Sequence, residues 1–315
     1  MGVSLTEWVG LLRGEYLSEF IRSGGAAVKL AVIAPEKAGA ALVAVAREAA
    51  AQGYLVARVD AAETRVHMID RLFFAVARQV DWDAAADRYL RALLRQQGIR
   101  VEEGQSLQDM DAIAAANGRL KPDLYGEINR LITNGILENY ALSREFRTAV
   151  AMLCWGRINP QNVSPTDAEI IKQWLLGEKC SLSALKRMQI YQRIARNNAR
   201  LLLGSLALWL SEVGYAGLAL LLDLNAVVAD VAPGVNLVRY TRSTVLDTYE
   251  VLRQFIDDTD EMSHLIVVAV AGPGLLDDPK RSVDNYTALK LRIVDEVRDR
   301  NRANPLNAMV RLDER

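Results

Sequence analysis

The chain has 315 residues, of which 51% are hydrophobic and 24% charged, a composition typical of a globular protein with material for one large domain or two smaller ones. Its net charge of −1 excludes a bulk positive field for nucleic acid, although a local basic face stays open. Two cysteines, Cys154 and Cys180, exclude a disulfide scaffold and lack zinc-ligand spacing. Without a signal peptide or an apolar stretch long enough to cross a bilayer, we expect a cytoplasmic protein with no membrane contact.

A β-α-β unit follows the first predicted helix. Apolar residues at helical spacing over residues 4–22 end at Ser23-Gly24-Gly25, which predicts a helix with a glycine stop. Residues 28–33 predict a buried strand, residues 40–52 a helix and residues 54–60 a second strand. Parallel strands that are joined by a helix imply a sheet covered on both faces.

The turn between this first strand and its helix lies where a P-loop NTPase binds phosphate. Such a turn carries G-x-x-x-x-G-K-[ST], whose backbone N–H groups surround phosphate while the lysine and the hydroxyl bind the outer phosphates and Mg²⁺. Residues 34–41 are Ala-Pro-Glu-Lys-Ala-Gly-Ala-Ala instead. Only Lys37 and Gly39 remain as candidate nucleotide contacts, and Glu36 adds a charge that repels phosphate. The pattern predicts a phosphate-binding turn that has lost its chemistry.

A long helical region then interrupts the α/β pattern. Its predicted helices are residues 68–79, 83–96, 122–134, 143–155, 167–176 and 183–195. The polar loop 98–118 is the segment that we expect to be mobile. The predicted organisation is therefore a first part of the core at residues 1–64, an α-helical insertion at 65–200 and a second part of the core at 201–315.

The second half returns to alternating helices and strands. Helices are predicted at 197–213, 243–257 and 285–302, and strands at 218–223 and 264–271. The strand 218–223 ends in Asp223, as a Walker B strand does when its carboxylate orders Mg²⁺, so Asp223 is a candidate metal and nucleotide ligand. A hydrolytic enzyme follows this aspartate with a glutamate, whereas here Leu224 follows. A buried strand that merely ends in aspartate is the alternative.

Seven stretches carry a resemblance to a known family; they are residues 170–178, 196–200, 214–223, 249–258, 271–273, 277–281 and 286–292. These stretches resemble the BrxC/BrxD ATP-binding family of BREX phage-defence systems. The resemblance extends from Glu15 to about Ile293 and implies an AAA+-like P-loop core with a parallel sheet and a large helical insertion, acting among proteins that protect a bacterium from phage DNA. The chain departs from the family pattern at Lys37-Ala38-Gly39-Ala40 and at Leu224.

Loss of chemistry at two separate elements predicts a pseudo-ATPase. We expect it to bind a protein partner, which the resemblance suggests is an active ATPase of the same family, and to hold no cofactor or only weakly bound ATP or ADP with Mg²⁺. An atypical but working ATPase that uses Lys37 and Asp223 is the alternative. Arg281 and Arg292 are further candidates, because AAA+ relatives use arginines after the sensor strand to reach a neighbour's nucleotide. A surface ion pair is the other interpretation of Arg292.

Basic residues also recur at helical spacing. Arg88, Arg91 and Arg95 fall on one face of a predicted helix, which suggests contacts with DNA phosphates, although a solvated amphipathic helix produces the same pattern. A second basic row has the same two interpretations; it consists of Lys186, Arg187, Arg193, Arg196 and Arg200. A DNA-binding adaptor that kept the fold for its shape is therefore a third functional hypothesis.

Overall fold

The computed structural model describes residues 3–229, 237–293, 304 and 306–312. Contacts divide the chain into two compact units. The first comprises the residues up to Val76 and those from Tyr215 onward, and it holds the sheet. The second, from Ala77 to Gly214, is helical, whereas the insertion was predicted at residues 65–200.

The sheet has five parallel strands in the described part of the chain. They are β1 (Ala26–Val32), β2 (Leu55–Asp60), β3 (Leu218–Asp223), β4 (Leu265–Ala271) and β5 (Met309–Arg311). The strand order is β2-β3-β4-β1-β5. Every residue of β1 and β4 is buried, because both faces of a parallel sheet are covered. The predicted fold class, an α/β protein with a parallel sheet, is confirmed; β5 was not predicted.

Fourteen α-helices lie in the described residues. They are α1 (Leu5–Leu11), α2 (Pro35–Ala51), α3 (Ile69–Ala77), α4 (Trp82–Gln96), α5 (Met110–Ala116), α6 (Lys121–Ile132), α7 (Arg144–Ile158), α8 (Pro165–Leu175), α9 (Leu182–Arg187), α10 (Ala199–Val213), α11 (Asn225–Val228), α12 (Arg242–Asp257), α13 (Gly274–Asp277) and α14 (Thr287–Ile293). Among the described residues, no helix has the length and apolar character needed to cross a membrane.

Each unit has its own core. In the first, fully buried Ala38, Ala41 and Ala49 on α2 pack toward the sheet in a cluster that includes Trp8 and Ile21. Small side chains on α2 let the helix approach the strands closely. In the second unit, aromatic rings bring α4, α7 and α10 together: the rings of Trp82 and Trp209 stack 6.0 Å apart, and Phe146 meets Trp209 edge-on at 6.1 Å.

In the helical region and near the end of the chain, two predicted helices and one predicted loop differ from the structure. The predicted helix 183–195 is wrong, because α9 ends at Arg187 and Gln189 adopts a left-handed φ of 63°. The predicted loop 98–118 contains α5, which Asp109 caps by accepting the Ala112 N–H at 3.2 Å. Of the predicted helix 285–302, α14 accounts for Thr287–Ile293, and residues 294–302 lie outside the described residues.

Candidate nucleotide site at the carboxyl edge of the sheet

The carboxyl ends of β1, β4 and β3 form the edge at which a nucleotide is expected. Val32 at the end of β1 is opposite Ala271 on β4, and Val270 on β4 is opposite Asp223. The ends of β1 and β3 are therefore separated only by β4, about 10 Å apart at normal strand spacing. From β1 the chain continues toward β2, whereas from β4 it continues toward β5 at the other side of the sheet. Open parallel sheets bind ligands outside such strand ends.

The connection from β1 to α2 is too short to be a P-loop. Helix α2 begins at Pro35, five residues before the predicted start at Ala40, so only Ile33 and Ala34 separate strand from helix. Proline favours this early start, because its fixed φ suits the first helical position and its missing N–H would have no partner there. The helix-start prediction was wrong because the P-loop pattern requires a long turn that this backbone does not make.

Lys37 and Gly39 consequently lie inside the helix. The Lys37 N–H already donates to the Ala34 carbonyl at 2.9 Å, and Pro35 has no N–H, so two positions of the first turn offer phosphate no backbone donor. Glu36 occupies the first turn, where a carboxylate interacts favourably with the helix dipole and competes with an anion. Gly39 is exposed, and a Cβ built there would meet nothing within 4 Å.

Packing closes the space beside this junction. A Cβ built on Gly272, just after β4, would lie 3.1 Å from Pro35 Cγ and 3.2 Å from Asn225 Oδ1. A Cβ on Gly274 would lie 2.7 Å from the Val228 carbonyl oxygen. The glycines after β4 therefore permit close packing of protein against protein. The ring of Pro35 lies near the strand ends, in the space that a phosphate-binding loop would occupy.

Asp223 is half-buried at the end of β3. Its Oδ1 accepts the backbone N–H of Asn225 at 2.9 Å and the Asn225 Nδ2 at 2.8 Å. Burial raises the pKa of Asp223, the Asn225 N–H opposes this shift, and the neighbouring Asp60 carboxylate adds to it. Asp60 is the register partner of Asp223 on β2, and it was not predicted as a site residue. Only knowledge of which strand ends are adjacent could have identified it.

Leu224 stands where a catalytic glutamate would follow the Walker B aspartate. Its side chain is 1% exposed, and its N–H donates to the Val270 carbonyl at 2.8 Å. The side chain at this position therefore belongs to the core, and it has no path to a water molecule at the edge of the sheet.

Arg281 and Arg292 both make contacts within the first unit. Arg281 Nη1 donates to the carbonyls of Ala229 at 2.7 Å and Val227 at 3.2 Å. Arg292 forms a two-pronged ion pair with Asp257, with Nη2 at 2.9 Å from Oδ2, and this pairing lowers the pKa of Asp257. Their role toward a neighbouring subunit's nucleotide stays a prediction.

The predicted DNA-binding arginines lie on α4, and two of them support the helical unit itself. Arg88 Nη2 donates to the Gly214 carbonyl at 2.7 Å. Arg91 Nε pairs with Asp87 at 2.7 Å, and Arg91 Nη1 donates to the Glu102 carbonyl at 3.3 Å. Arg95 is exposed and lines a cleft with Arg100. Sequence spacing indicates the Asp87–Arg91 pair, which lies four residues apart, but not the carbonyl acceptors at Gly214 and Glu102.

The residues at the edge do not fit Mg-ATP bound in the Walker manner. The junction lacks N–H donors at two positions, residues 34–41 contain no hydroxyl, and the position of the glutamate is buried. Among the described residues, no group of three or more His, Cys, Asp or Glu side chains is placed to hold a metal ion. Binding of nucleotide or metal by Lys37, Gly39 and Asp223 therefore stays untested.

The parallel sheet, the strand ends at its carboxyl edge and the helical unit define the class of this protein, a P-loop NTPase-like α/β protein with a helical insertion. Residues 40–314 match the model of a family described as BREX system ATP-binding protein BrxC/D. The match covers most of the chain, and the chain belongs to this family. It begins at Ala40, within α2, so the junction of β1 with α2 precedes it. Comparisons with curated proteins and with solved structures found no match.

Proposed function

We propose that this chain is a BREX component that keeps the fold of its ATP-binding family but does not hydrolyse ATP, and that it acts in the cytoplasm by binding a protein partner. The observation that carries the proposal is the two-residue connection between β1 and α2. A backbone this short has no loop with which to surround a phosphate.

The amount of transition-state stabilisation that the chain lacks favours an inactive protein over a slow ATPase. One donor aimed at charge that develops in the transition state contributes about 3–4 kcal/mol. The chain lacks the motif lysine, the Mg²⁺ hydroxyl and the water-polarising carboxylate together. Loss of three such contributions, about 9–12 kcal/mol in all, equals the whole rate enhancement of a modest enzyme and about half that of a strong one, since enzymes in general supply on the order of 8–23 kcal/mol.

The family supports the choice of partner. A subunit without its own chemistry contributes to a multi-protein system through binding, and a competent ATPase of the same family is the partner whose fold is most compatible with side-by-side assembly. The complex is the expected working form.

The first experiment measures thermal unfolding of the purified chain over a series of Mg-ATP concentrations, with phosphate release followed in parallel. A ligand that binds the native state at 100 times its Kd stabilises by about 2.7 kcal/mol, so millimolar Mg-ATP reports even a modest affinity. We expect no shift in Tm and no phosphate release. A shift in Tm that grows with Mg-ATP and is accompanied by phosphate release, both of which disappear in Asp223→Asn, would overturn the proposal.

That opposite result would favour nucleotide binding at the edge of the sheet. The adjacent Asp60 and Asp223 at the ends of β2 and β3 are the observation that supports this second candidate, since paired carboxylates attract Mg²⁺.

The partner is tested separately by light scattering of the chain mixed with the ATPase of its own system. A chain that remains monomeric in that mixture would contradict the partner role.

A further inference from the structure

A surface of the helical unit carries exposed tyrosines beneath arginines. Tyr140 is 81% exposed and Tyr191 is 48% exposed, although both rings are large. The Arg147 guanidinium lies 4.5 Å from the centre of the Tyr140 ring, and the Arg144 guanidinium lies 5.4 Å from that of Tyr191. Arg144 and Arg147 are one turn apart on α7, so the four side chains form a continuous row. We call it the tyrosine-arginine row.

Local structure fixes this row in place. The Ser143 N–H donates to Ser205 Oγ at 2.9 Å, which ties the start of α7 to α10. The left-handed Gln189 ends α9 and turns the chain before Tyr191. Trp174 Nε1 then donates to the Gln192 carbonyl at 2.9 Å. These hydrogen bonds hold the backbone near both tyrosines. Because the exposed tyrosines are already ordered, binding does not pay the entropy cost of ordering them.

The segment that contains Tyr191 carries positive charge only, whereas Glu138 and Glu145 lie close in the chain to Tyr140 and Arg144. Between Glu178 and Glu212 the chain contains no Asp or Glu, and its cations there are Lys179, Lys186, Arg187, Arg193, Arg196 and Arg200. All but Arg200 are exposed. In a chain whose net charge is −1, this segment concentrates positive charge next to the tyrosine-arginine row.

We propose that this surface binds single-stranded nucleic acid, with bases stacked on Tyr140 and Tyr191 and phosphates bound by Arg144, Arg147, Lys186 and Arg187. Exposed aromatic rings and a basic track are the two components of sequence-tolerant single-strand binding. Arg147 Nη1 donates weakly to the Asn139 carbonyl at 3.5 Å, but a guanidinium has five N–H donors, so one that lies over a ring can still bind a phosphate through the others. A duplex hides the faces of its bases, so the single strand is the preferred ligand.

This surface differs from the row on α4. Arg88 and Arg91 donate to carbonyls of their own unit, as described above, and they are not required here. Trp82 at the start of α4 packs near Phe146 at the start of α7, whereas Arg95 lies 13 residues further, about 20 Å along the helix. The proposal goes beyond the proposed function and needs no ATP, so each can fail without the other.

The test measures fluorescence anisotropy of a labelled oligo-dT of about 20 nucleotides and of a duplex of equal length, titrated with the full nucleotide-free chain at several salt concentrations. We expect tighter binding of oligo-dT than of duplex. Tyr140→Ala/Tyr191→Ala should weaken it roughly tenfold or more, because two stacking platforms are lost, whereas Tyr140→Phe/Tyr191→Phe should stay within about twofold.

The charged positions have a separate readout and a matched control. Lys186→Gln/Arg187→Gln should reduce the slope of log affinity against log salt by about 1.4, since each phosphate contact contributes roughly 0.7 for a single strand. Arg95→Gln/Arg100→Gln removes the same charge from the other end of α4 and should leave affinity and slope unchanged. All substituted side chains are exposed, and unchanged thermal unfolding verifies the fold of each variant.

Four results would overturn the proposal. They are no binding of oligo-dT, tighter binding of duplex than of oligo-dT, equal affinity of the Tyr→Ala variant and wild type, and an equal loss of affinity in the Arg95→Gln/Arg100→Gln control. If oligo-dT is not bound but Tyr140→Ala/Tyr191→Ala abolishes binding of the partner ATPase, the surface is a protein-docking site and the proposal is wrong.

Discussion

Gly39 shows how a residue can retain the identity but not the role of a motif position. In a phosphate loop its missing Cβ would allow the backbone to approach the ligand. Here Gly39 is an exposed residue in the second turn of α2, with nothing within 4 Å of an added Cβ. Glycine at such a site only weakens the helix.

Gly39→Ala is therefore expected to stabilise the chain by about 0.5–1 kcal/mol, the difference in helix propensity between the two residues. Urea denaturation of the variant and the wild type measures the change. If Gly39 contacted phosphate, Mg-ATP would stabilise the wild type, and Gly39→Ala would lose that stabilisation. Loss of stability without nucleotide would also contradict the helical placement.

At the scale of the element, the connection from β3 to α11 decides whether hydrolysis can be restored. Leu224 is 1% exposed and packs in the core between the end of β3 and α11. A carboxylate placed there loses its hydration and gains no partner, which is among the most costly changes in a protein interior.

Leu224→Glu should accordingly reduce the free energy of unfolding by about 3 kcal/mol or more and produce no phosphate release from ATP. The matched control is Leu224→Met, which keeps the volume and should cost less than about 1.5 kcal/mol. Denaturation curves and a phosphate assay report the two effects. ATP hydrolysis by a stable Leu224→Glu variant would show that the side chain reaches the edge of the sheet.

Strands were predicted more accurately than helix ends, for a physical reason. Continuous apolar runs such as Leu218–Asp223 reflect burial on both faces, and the predicted and observed bounds of β3 coincide. Helix ends depend on single residues: Pro35 starts α2 early, and Gln189 ends α9 early. At Gln189 the N–H groups of residues 189 and 190 bond the carbonyls of Lys186 and Leu185, a helix-ending arrangement that usually contains glycine. Glutamine there gave no sequence signal.

The candidate site was predictable only in part. The two predicted strand ends do lie at one edge of the sheet, because β1 and β3 are parallel and only β4 separates them, while nucleotide binding at that edge stays a prediction. The internal contacts of Arg88, Arg91 and Arg281 depend on carbonyl groups distant in the chain, and no local pattern encodes them. The juxtaposition of Tyr140 with Arg147 and of Tyr191 with Arg144 also required the fold.

At the scale of the whole molecule, a buried carboxyl group in the helical unit makes stability depend on pH. Glu212 Oε1 accepts the Asn139 Nδ2 at 2.7 Å, while Oε2 is buried and has no hydrogen-bond partner among the described residues. Burial raises the pKa of Glu212 to about 7, and the Asn139 amide opposes this shift. Tyr89 on α4 interacts electrostatically with Glu212 and with Cys154 on α7, and burial raises the pKa of both Tyr89 and Cys154.

Since the unfolded chain has a normal glutamate pKa of about 4.3, the folded state binds more protons between that pH and about 7. Stability is therefore full below pH 4.3 for this group and falls as pH rises through 7, by roughly 1.4 kcal/mol for each unit of the shift. Glu212→Gln keeps an oxygen for the Asn139 amide and removes the titration. We expect the variant to match the wild type at about pH 4 and to exceed its stability at pH 8.

Tryptophan fluorescence during urea denaturation follows this unit, because Trp82 and Trp209 stack in its core. Glu178→Gln, an exposed change in the same unit, controls for the loss of one negative charge. The charged carboxylate disfavours folding. The gain in free energy of unfolding from Glu212→Gln must therefore grow with pH and level off above pH 7. A variant that is less stable than the wild type at pH 8 would show that the ionised carboxylate has a favourable partner, and the burial of Glu212 would then not limit the stability of the helical unit.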